Sequence, residues 1–293
     1  MIVVIGHQNP DLDSVASAIC EAERRRLNGE DAQAFISGTP TREVQAVLEH
    51  LRLSLPPAWS PCLADQPTVL VDFNDREQAP GCLQNVIAVI DHHQDSGDVA
   101  GVADRLIEPL GSTATMIAHR LLANHPADLD EQHCLLMLAA IISDTKSMLS
   151  PQTTARDRQV AERLAKQCGH SLEQVTSWLQ DLSCYQFAPE LVPEYVSQSK
   201  KCITLANHLV CSAAIETLAL EPFLPEQAAI AGGLRHLGGN VSALIVTDLK
   251  QRQTAIFHIG CLPLPSPYVL DGICLRKREI RQLLEQHLSK ERP

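Results

Sequence analysis

The chain has 293 residues, of which 45% are hydrophobic and 20% charged, and its formal net charge at pH 7 is −11. This length exceeds the usual size of one domain, so two domains are expected. A negative charge balance argues against a general nucleic-acid or anionic-membrane binder, and 3% aromatic residues leave few platforms for stacking nucleobases. An acidic protein can still bind an anionic substrate where bound cations invert the local field.

Ten cysteines are scattered through the chain without a C-x-x-C pair. Several lie within apolar runs, so we interpret them as buried thiols in a reducing compartment and not as a disulfide scaffold or a zinc ribbon. The chain opens on a strand-like apolar run without a basic leader or cleavage site, and no apolar stretch approaches ~18 residues. These features predict a cytoplasmic globular protein without a membrane span.

The first half of the chain alternates short apolar runs with helical patterns. Strands are predicted at 2–5, 32–36, 68–71 and 85–90, and helices at 14–27, 41–51, 114–123, 131–142, 154–168 and 172–182. The strand-like runs are apolar on both faces and are separated by helices. This pattern is typical of a buried parallel sheet with flanking helices.

A break in the pattern falls near residues 188–194, where Pro189 and Pro193 lie close together. Helices rarely cross such a stretch, so we predict a first domain at 1–187, a linker at 188–195 and a second domain at 196–293. The second domain has predicted strands at 202–206, 208–212, 242–247 and 254–259, and helices at 226–237 and 275–288. The expected fold class is α/β in both domains, with the smaller domain at the C-terminus.

Acidic and histidine side chains gather where the predicted strands end. They follow the first, third and fourth strands, and one more follows an apolar helix: His7, Asp11, Asp13, Asp72, Asp91, His92, His93 and Asp144. Ligands of open parallel sheets bind at the carboxyl ends of the strands, so these side chains are expected to share one crevice. Carboxylate oxygens with imidazole nitrogens, and no thiolate, suit Mn²⁺, Co²⁺ or Mg²⁺.

Each of these residues also has a purely structural interpretation when it is taken alone. Asp11 and Asp13 can cap the helix that starts near Ser14, and Asp72 can satisfy a turn. The sequence Asp91-His92-His93 is harder to explain in this way, because three titratable groups that end a buried strand serve no packing purpose. Taken together, the residues favour a two-metal site, in which a carboxylate bridges the ions and a water becomes the nucleophile.

Five motifs in order along the chain carry a resemblance to a known family. GHQNPDLDS, VDFND, IDHH, GSTAT and ISDT resemble the motif series of the DHH phosphoesterases, and in particular the manganese-dependent family II inorganic pyrophosphatases. The histidine that heads GHQNPD favours the pyrophosphatases over the related exopolyphosphatases. The resemblance covers nearly the whole chain. It implies a DHH domain followed by a smaller DHHA2-like domain, an active site in the cleft between them, and a homodimer.

The resemblance implies two Mn²⁺ ions per subunit, with Co²⁺ or Mg²⁺ as alternatives. The ligands would be His7, Asp11 and Asp72 for one ion and Asp13, His92 and Asp144 for the other. Asp72 would bridge both ions. The implied reaction is hydrolysis of pyrophosphate to two orthophosphates by a metal-activated hydroxide.

The resemblance also implies catalytic residues that bind the substrate anion: His93, Lys201, Arg276 and Lys277. Phosphoryl transfer depends mainly on positioning and on cationic stabilisation, which these side chains can supply. The basic run at 276–278 can equally be a solvated face near a helix start. Gly111, Ser112 and Thr113 before a helix can form an anion site or a helix cap, and both interpretations stay open.

The chain departs from the family pattern at several positions near these motifs. Leu12 and Leu275 replace small hydroxyl residues, Phe73 replaces a histidine, and Leu149 replaces a lysine while a lysine appears at Lys146. None of these changes removes a metal ligand. They leave two alternatives: a sister DHH enzyme acting on short polyphosphate or a small nucleotide phosphoester, or a non-catalytic anion-sensing DHH protein. The expected partner is a small anionic phosphate substrate and not a nucleic acid or a membrane.

Overall fold

The computed structural model describes residues 1–81, 83–183 and 188–289. The chain divides into two compact units, Met1–Ser183 and Cys184–Pro293. Each unit contains a sheet flanked by helices, so the predicted α/β fold class is confirmed for both. Among the described residues, no helix combines the length and apolar character that a membrane span requires.

The first unit is built on a five-stranded, all-parallel sheet of order β2-β1-β3-β4-β5. Its strands are β1 (Ile2–Ile5), β2 (Ala32–Phe35), β3 (Thr68–Val71), β4 (Val86–Asp91) and β5 (Asp104–Ile107). Its helices are α1 (Leu12–Leu27), α2 (Arg42–His50), α3 (Thr113–Asn124), α4 (Glu131–Asp144), α5 (Ala155–Cys168) and α6 (Leu172–Ser183).

Both faces of this sheet are buried, which explains why its strands are apolar throughout. Val4 and Val69 face a large cluster that includes residues of α1, α3 and α4. Val3 and Leu70 face a second cluster, on the other side of the sheet, which includes Phe73. A strand with core on both sides gains from an apolar side chain at every position.

The strand order places a switch point between β1 and β3. β1 lies between β2 and β3, so the chain leaves β1 toward one neighbour and later returns on its other side. Ligands of doubly wound sheets bind at the carboxyl ends of strands at such a point. Gly6 directly follows β1, and a Cβ atom there would lie 1.8 Å from Ser14 Oγ. The absence of a side chain at Gly6 therefore lets the loop after β1 pack against the first turn of α1.

The second unit contains a mixed five-stranded sheet of order β10-β9-β8-β7-β6, in which only the β7–β8 pair is parallel. Its strands are β6 (Lys201–Leu205), β7 (His208–Thr217), β8 (Val241–Asp248), β9 (Gln253–Gly260) and β10 (Tyr268–Asp271). Its helices are α7 (Val192–Gln198), α8 (Gln227–Leu234) and α9 (Arg281–Leu288), the last preceded by a π-helical turn at Arg276–Ile280. Separate apolar clusters lie against α7 and α8 and against α9.

The predicted linker, 188–195, is largely helical in the structure. A 3₁₀ turn at Pro189–Leu191 leads directly into α7, and Val192 and Tyr195 are fully buried in the second unit's core. Pro193 occupies the first turn of α7, where a helix loses no backbone hydrogen bond to proline. This segment is therefore part of the second unit. Residues 184–187, which the sequence analysis assigns to the first domain, lie outside the described residues.

The prediction that the cysteines are all buried thiols is wrong for several of them. Cys202 and Cys211 form a disulfide, and Cys62 and Cys261 are exposed. The disulfide arises from strand register, because β6 and β7 form an antiparallel hairpin in which Cys202 lies directly opposite Cys211. The two cysteines are equidistant from the turn at residues 206–207, and that symmetry is the signal by which the pair could have been found.

Candidate metal centre

The six predicted metal ligands come together at the carboxyl edge of the first unit's sheet. Three groups of three have ligand atoms within 4.8 Å of one another among the described residues, and two of them comprise the six: His7, Asp11 and Asp72, and Asp13, His92 and Asp144. The third group is Asp72, His92 and His93. The loop after β1, the first turn of α1, the ends of β3 and β4, and the last residue of α4 supply them. The structure thus brings together residues up to 137 positions apart; their role as metal ligands remains a prediction.

The two histidines of these groups are held in a definite tautomer. His7 Nδ1 lies 3.0 Å from the carbonyl oxygen of Gln8, and His92 Nδ1 lies 3.0 Å from that of Leu110. A carbonyl oxygen can only accept a hydrogen bond, so Nδ1 carries the proton in both rings. The lone pair is then on Nε2, which is the arrangement that a metal-binding histidine requires.

Asp72 lies between the two histidines. Its Oδ2 is 3.6 Å from His7 Nε2, and its Oδ1 is 3.5 Å from His92 Nε2. His7 Nε2 is also 3.5 Å from Asp11 Oδ2, and His92 Nε2 is 3.3 Å from Asp144 Oδ2. Two ligands bound to one ion at ~2.0–2.2 Å are themselves roughly 3.0–3.5 Å apart, so these separations suit shared ions.

Negative charge is concentrated at this edge of the sheet. Burial, together with the charges of Asp13 and Asp11, raises the pKa of Asp72 well above its usual value. Burial also raises the pKa of Asp13, and it raises the pKa of Asp144 to about 7. Carboxylates that are desolvated and repel one another are stabilised as anions when cations bind between them. The donor chemistry and the electrostatics therefore both fit divalent metal ions.

The loop before α3 supports the carboxylate of Asp13. Asp13 Oδ1 accepts hydrogen bonds from Ser112 Oγ and the Ala114 amide, each at 2.8 Å, and Oδ2 accepts from the Thr113 amide at 2.7 Å. Ser112 is also the N-cap of α3, and Thr113 Oγ1 donates to Asp72 Oδ1 at 3.1 Å. Ser112 thus caps α3, and the amides of the first turn of α3 already donate to Asp13. This arrangement favours the helix-cap interpretation of the motif over an anion site.

Asp157, which the sequence analysis did not single out, supports the same loop from α5. It accepts hydrogen bonds from the Gly111 amide at 2.9 Å and from Thr115 Oγ1 at 2.6 Å. A Cβ atom at Gly111 would lie 2.6 Å from Thr145 Cγ2 and 2.9 Å from Asp157 Oδ2. Gly111 is therefore required for close packing here. The fully buried Asp157 has no local sequence signal beyond its place in a helix-capping box with Thr154.

His93 lies at the margin of the metal centre. Its ring packs edge-on against that of His92, with centroids 4.2 Å apart, and its Nδ1 is 3.9 Å from Asp72 Oδ1. One third of its side chain is exposed to solvent. This position is compatible with the predicted contact between His93 and a substrate.

Two of the predicted anion-binding residues of the second unit, Lys201 and Arg276, both lie beside Ser212 of β7. Lys201 is exposed at the start of β6, directly opposite Ser212 in β7. Arg276 Nη1 donates to the carbonyl oxygens of Ser199 at 2.5 Å and of Ser212 at 3.3 Å. Burial lowers the pKa of Arg276 to about 10. The side chain of Lys277 lies outside the described part of the structure.

Two departures from the family pattern can be placed in the first unit. Phe73, directly after Asp72, is buried in the apolar cluster beneath the sheet and contributes to core packing. Lys146 lies in a left-handed turn after α4, and its charge opposes the rise in the pKa of Asp144. A positive charge is therefore present near the metal centre on this unit, although Leu149 occupies the position of the family's lysine.

Comparison with known proteins agrees with this geometry. Residues 1–141 match the model of the DHH family, N-terminal domain. A Streptococcus mutans protein assigned as a manganese-dependent inorganic pyrophosphatase is 29% identical over 268 residues, covering 88% of this chain and 86% of the relative. A relative from Exiguobacterium with the same assignment is 28% identical and aligns over 99% of both chains.

Solved structures show the same architecture. A Methanococcus jannaschii protein assigned to the family II inorganic pyrophosphatases has a TM-score of 0.78 at 25% identity, over 98% of this chain and 99% of that one. An exopolyphosphatase-related protein from Bacteroides fragilis has a TM-score of 0.55 at 12% identity, which shows a shared fold alone. The chain therefore carries a DHH-family N-terminal domain at residues 1–141.

Proposed function

We propose that this protein hydrolyses inorganic pyrophosphate to two orthophosphate ions and depends on manganese for the reaction. The observation that carries the proposal is the geometry around Asp72, whose two oxygens face the Nε2 atoms of His7 and His92 within a cluster of carboxylates. The assignment of relatives along most of their length as manganese-dependent inorganic pyrophosphatases supports the choice of metal and substrate.

The proposed metal ligands form two sets that share one carboxylate. They are His7, Asp11 and Asp72 for one Mn²⁺ and Asp13, His92 and Asp144 for the other, with Asp72 common to both. Two bound ions would neutralise the charge of the phosphate oxygens and lower the pKa of the attacking water. The backbone carbonyls of Gln8 and Leu110 hold the two histidine rings with Nε2 toward the carboxylates. The hydrogen bonds from the start of α3 hold Asp13 in the same way.

The chain's own side chains would bind and orient the substrate. We propose that His93 contacts a phosphate oxygen, because it borders the metal centre and remains partly exposed. The family resemblance supports the same role for Lys201, Arg276 and Lys277 in the second unit. Arg276 is held by two carbonyl oxygens through one guanidinium nitrogen, and a planar guanidinium retains further donors for phosphate oxygens.

A substrate panel tests the proposal. Metal-free protein would be loaded with Mn²⁺ or Mg²⁺, and phosphate release would be measured from pyrophosphate, tripolyphosphate and small nucleotides. We expect pyrophosphate with Mn²⁺ to give the highest kcat/KM. Asp144→Asn should lose this activity, whereas Asp128→Asn, an exposed carboxylate that pairs only with His125 among the described residues, should retain it. Release from tripolyphosphate or a nucleotide but not from pyrophosphate would identify a sister phosphohydrolase.

Metal analysis separates an enzyme from a non-catalytic anion sensor. A catalytic centre should retain about two Mn²⁺ per chain after dialysis, because each set supplies three ligands whose ligand atoms lie within 4.8 Å of one another. Protein that gains no manganese and hydrolyses none of these phosphates would support the sensor alternative.

We also propose that the protein is a cytoplasmic homodimer, as the resemblance implies. β5 ends the first unit's sheet, and an edge strand offers backbone groups with which a second copy can pair. Sedimentation equilibrium would give a mass near twice the 32.1 kDa of the chain. A mass of one chain at micromolar concentration would contradict the dimer, and cell fractionation would test the location.

A further inference from the structure

Asn74 is a buried amide with defined partners on both sides. It lies in the loop between β3 and β4, and only 3% of its surface is exposed. Its Nδ2 donates to Asp91 Oδ2 at 2.5 Å and to the carbonyl oxygen of Gln94 at 3.2 Å. Its Oδ1 accepts from the Ser96 amide at 2.6 Å. Both ends of the amide are thus used, which fixes the orientation of this side chain.

Asp91 continues this chain of contacts toward the metal centre. It is fully buried at the end of β4, and its Oδ1 accepts from the His93 amide at 3.0 Å and from His93 Nδ1 at 2.9 Å. A carboxylate oxygen accepts, so the ring proton of His93 is on Nδ1. The other ring nitrogen, Nε2, is then the one that can meet a substrate. Asp91 therefore sets both the tautomer and the rotation of the His93 ring.

We propose that Asn74 is a positioning residue for the reaction, acting through Asp91 to hold the imidazole of His93 toward the substrate. The inference rests on the proposed function for its kinetic effect and on the structure alone for the state of the His93 ring. An amide suits this position because it donates to a carboxylate and accepts from a backbone amide at once. Aspartate there would place two carboxylates in contact, and alanine would leave Asp91 Oδ2 and the Ser96 amide without their partner.

A simpler role for Asn74 would be to join two loops. Ser96 offers a matched control for that role. Its Oγ donates to the main-chain carbonyl oxygen of Asn74 at 2.8 Å, and no hydrogen bond joins this hydroxyl to Asp91 among the described residues. Ser96→Ala removes one hydrogen bond between the same loops and leaves the hydrogen bond between Asn74 and Asp91 in place. A residue that only joins the loops should respond to Asn74→Ala and Ser96→Ala in the same way.

The kinetic test compares Asn74→Ala, Asp91→Asn, the double variant and Ser96→Ala, all loaded with Mn²⁺. We expect Asn74→Ala to lower kcat ~10–100-fold while the KM for pyrophosphate stays within a factor of about two and the manganese content is unchanged. Ser96→Ala should retain the kcat of the wild type. Asp91→Asn should lower kcat similarly, and the double variant should lose no more than the larger single loss, since both changes interrupt one chain of contacts.

A second readout does not depend on activity. With Mg²⁺, which is diamagnetic, the ¹⁵N shifts of His93 report which ring nitrogen carries the proton. The wild type and Ser96→Ala should show the Nδ1–H tautomer alone, and Asn74→Ala should show a mixture. An unchanged His93 tautomer in Asn74→Ala, or additive losses of kcat in the double variant, would overturn the proposal. If the wild type does not hydrolyse pyrophosphate, the proposed function fails while the ¹⁵N shifts still decide on positioning.

Discussion

Asp72 combines burial, a left-handed backbone and a negative charge among other carboxylates. Its φ is +66°, which a residue with a Cβ atom adopts only at a cost in energy, and 2% of its surface is exposed. Its carboxylate gains hydrogen-bonding support from Thr113 Oγ1. The backbone strain and the burial of the charge both cost energy. They are explained by the resulting geometry of Asp72, in which each carboxylate oxygen faces a different histidine.

Asp72→Asn should therefore separate metal binding from folding. The amide has nearly the same shape but lacks the charge, so we expect the variant to retain less than one Mn²⁺ per chain. In EDTA, at pH values above the raised pKa of Asp72, its Tm should exceed that of the wild type, because a buried charge is removed. Mass spectrometry of bound metal and differential scanning fluorimetry would measure both effects. Normal manganese content in this variant would refute the bridging role.

The raised pKa values of the carboxylates predict how stability depends on pH. Asp13, Asp72 and Asp144 have pKa values above those of the unfolded chain, so in chelated protein their protonated forms stabilise the fold. That contribution is complete below about pH 4 and is lost as the pH rises through the folded pKa, which for Asp144 is about 7. Mn²⁺ bound by these carboxylates would take the place of the protons.

The rise in Tm caused by Mn²⁺ should accordingly grow between pH 5 and pH 8. Thermal unfolding would be followed at four pH values, with saturating Mn²⁺ and with EDTA. A rise in Tm that is equal at pH 5 and pH 8 would show that these carboxylates do not exchange protons for the metal.

At the residue scale, sequence reasoning predicted which acidic and histidine side chains cluster at the sheet edge better than it predicted the residues that support them. Strand-end position marked Asp72 and His92, because a charged group at the end of an apolar run stands out in one short segment. Asp157 was missed because its role depends on Gly111, 46 residues away, and on tertiary packing that no local pattern records. A helix cap near Ser112 was one of two interpretations left open, and the hydrogen bond from Ser112 to Asp13 across 99 residues was not predicted.

At the scale of elements, α3 links a helix cap to the metal centre. Ser112→Ala removes the side-chain cap of α3 and a donor to Asp13, and should cost about 1 kcal/mol of stability and weaken Mn²⁺ binding ~10-fold or more. Thr41→Ala is the matched control, because Thr41 caps α2 without contacting a metal ligand among the described residues. Urea unfolding and Mn²⁺ titration should show a stability loss in both variants and an affinity loss in Ser112→Ala only.

The disulfide gives the β6–β7 hairpin a testable contribution to stability. The disulfide joins Cys202 to Cys211, nine positions apart, and we expect its removal by Cys202→Ser to lower the free energy of unfolding by about 2–3 kcal/mol. Cys62→Ser removes an exposed free thiol and should leave stability unchanged. Urea unfolding without reductant would compare them. Ten free thiols in unreduced wild type by thiol titration would contradict the disulfide.

Most elements with clear periodicity were predicted to within a few residues, although β7 extends beyond its predicted end at 212 to Thr217. Two strands and one α-helix were missed among the described residues, each for a physical reason. β5 reads Asp-Arg-Leu-Ile and lies at the sheet edge, where burial does not demand an apolar run. α7 contains a proline in its first turn, which local reasoning treats as a break. β10 is a short, half-exposed edge strand with no strong pattern.

At the scale of the whole molecule, the proposed function pairs an acidic chain with an anionic substrate. A net charge of −11 repels phosphate unless cations are bound, and the first unit concentrates carboxylates at the sheet edge where they can bind those cations. The order of motifs along the chain made the clustering of these carboxylates predictable. Strand register and loop packing were not, because they depend on contacts between distant segments.

The most direct test of the central claim is a titration of chelated protein with Mn²⁺ while phosphate release from pyrophosphate is followed. The account predicts that activity rises until two Mn²⁺ are bound per chain, with two phosphates released for each pyrophosphate consumed. Activity that is complete with one ion, that is unaffected by manganese, or that is absent at saturation would contradict it.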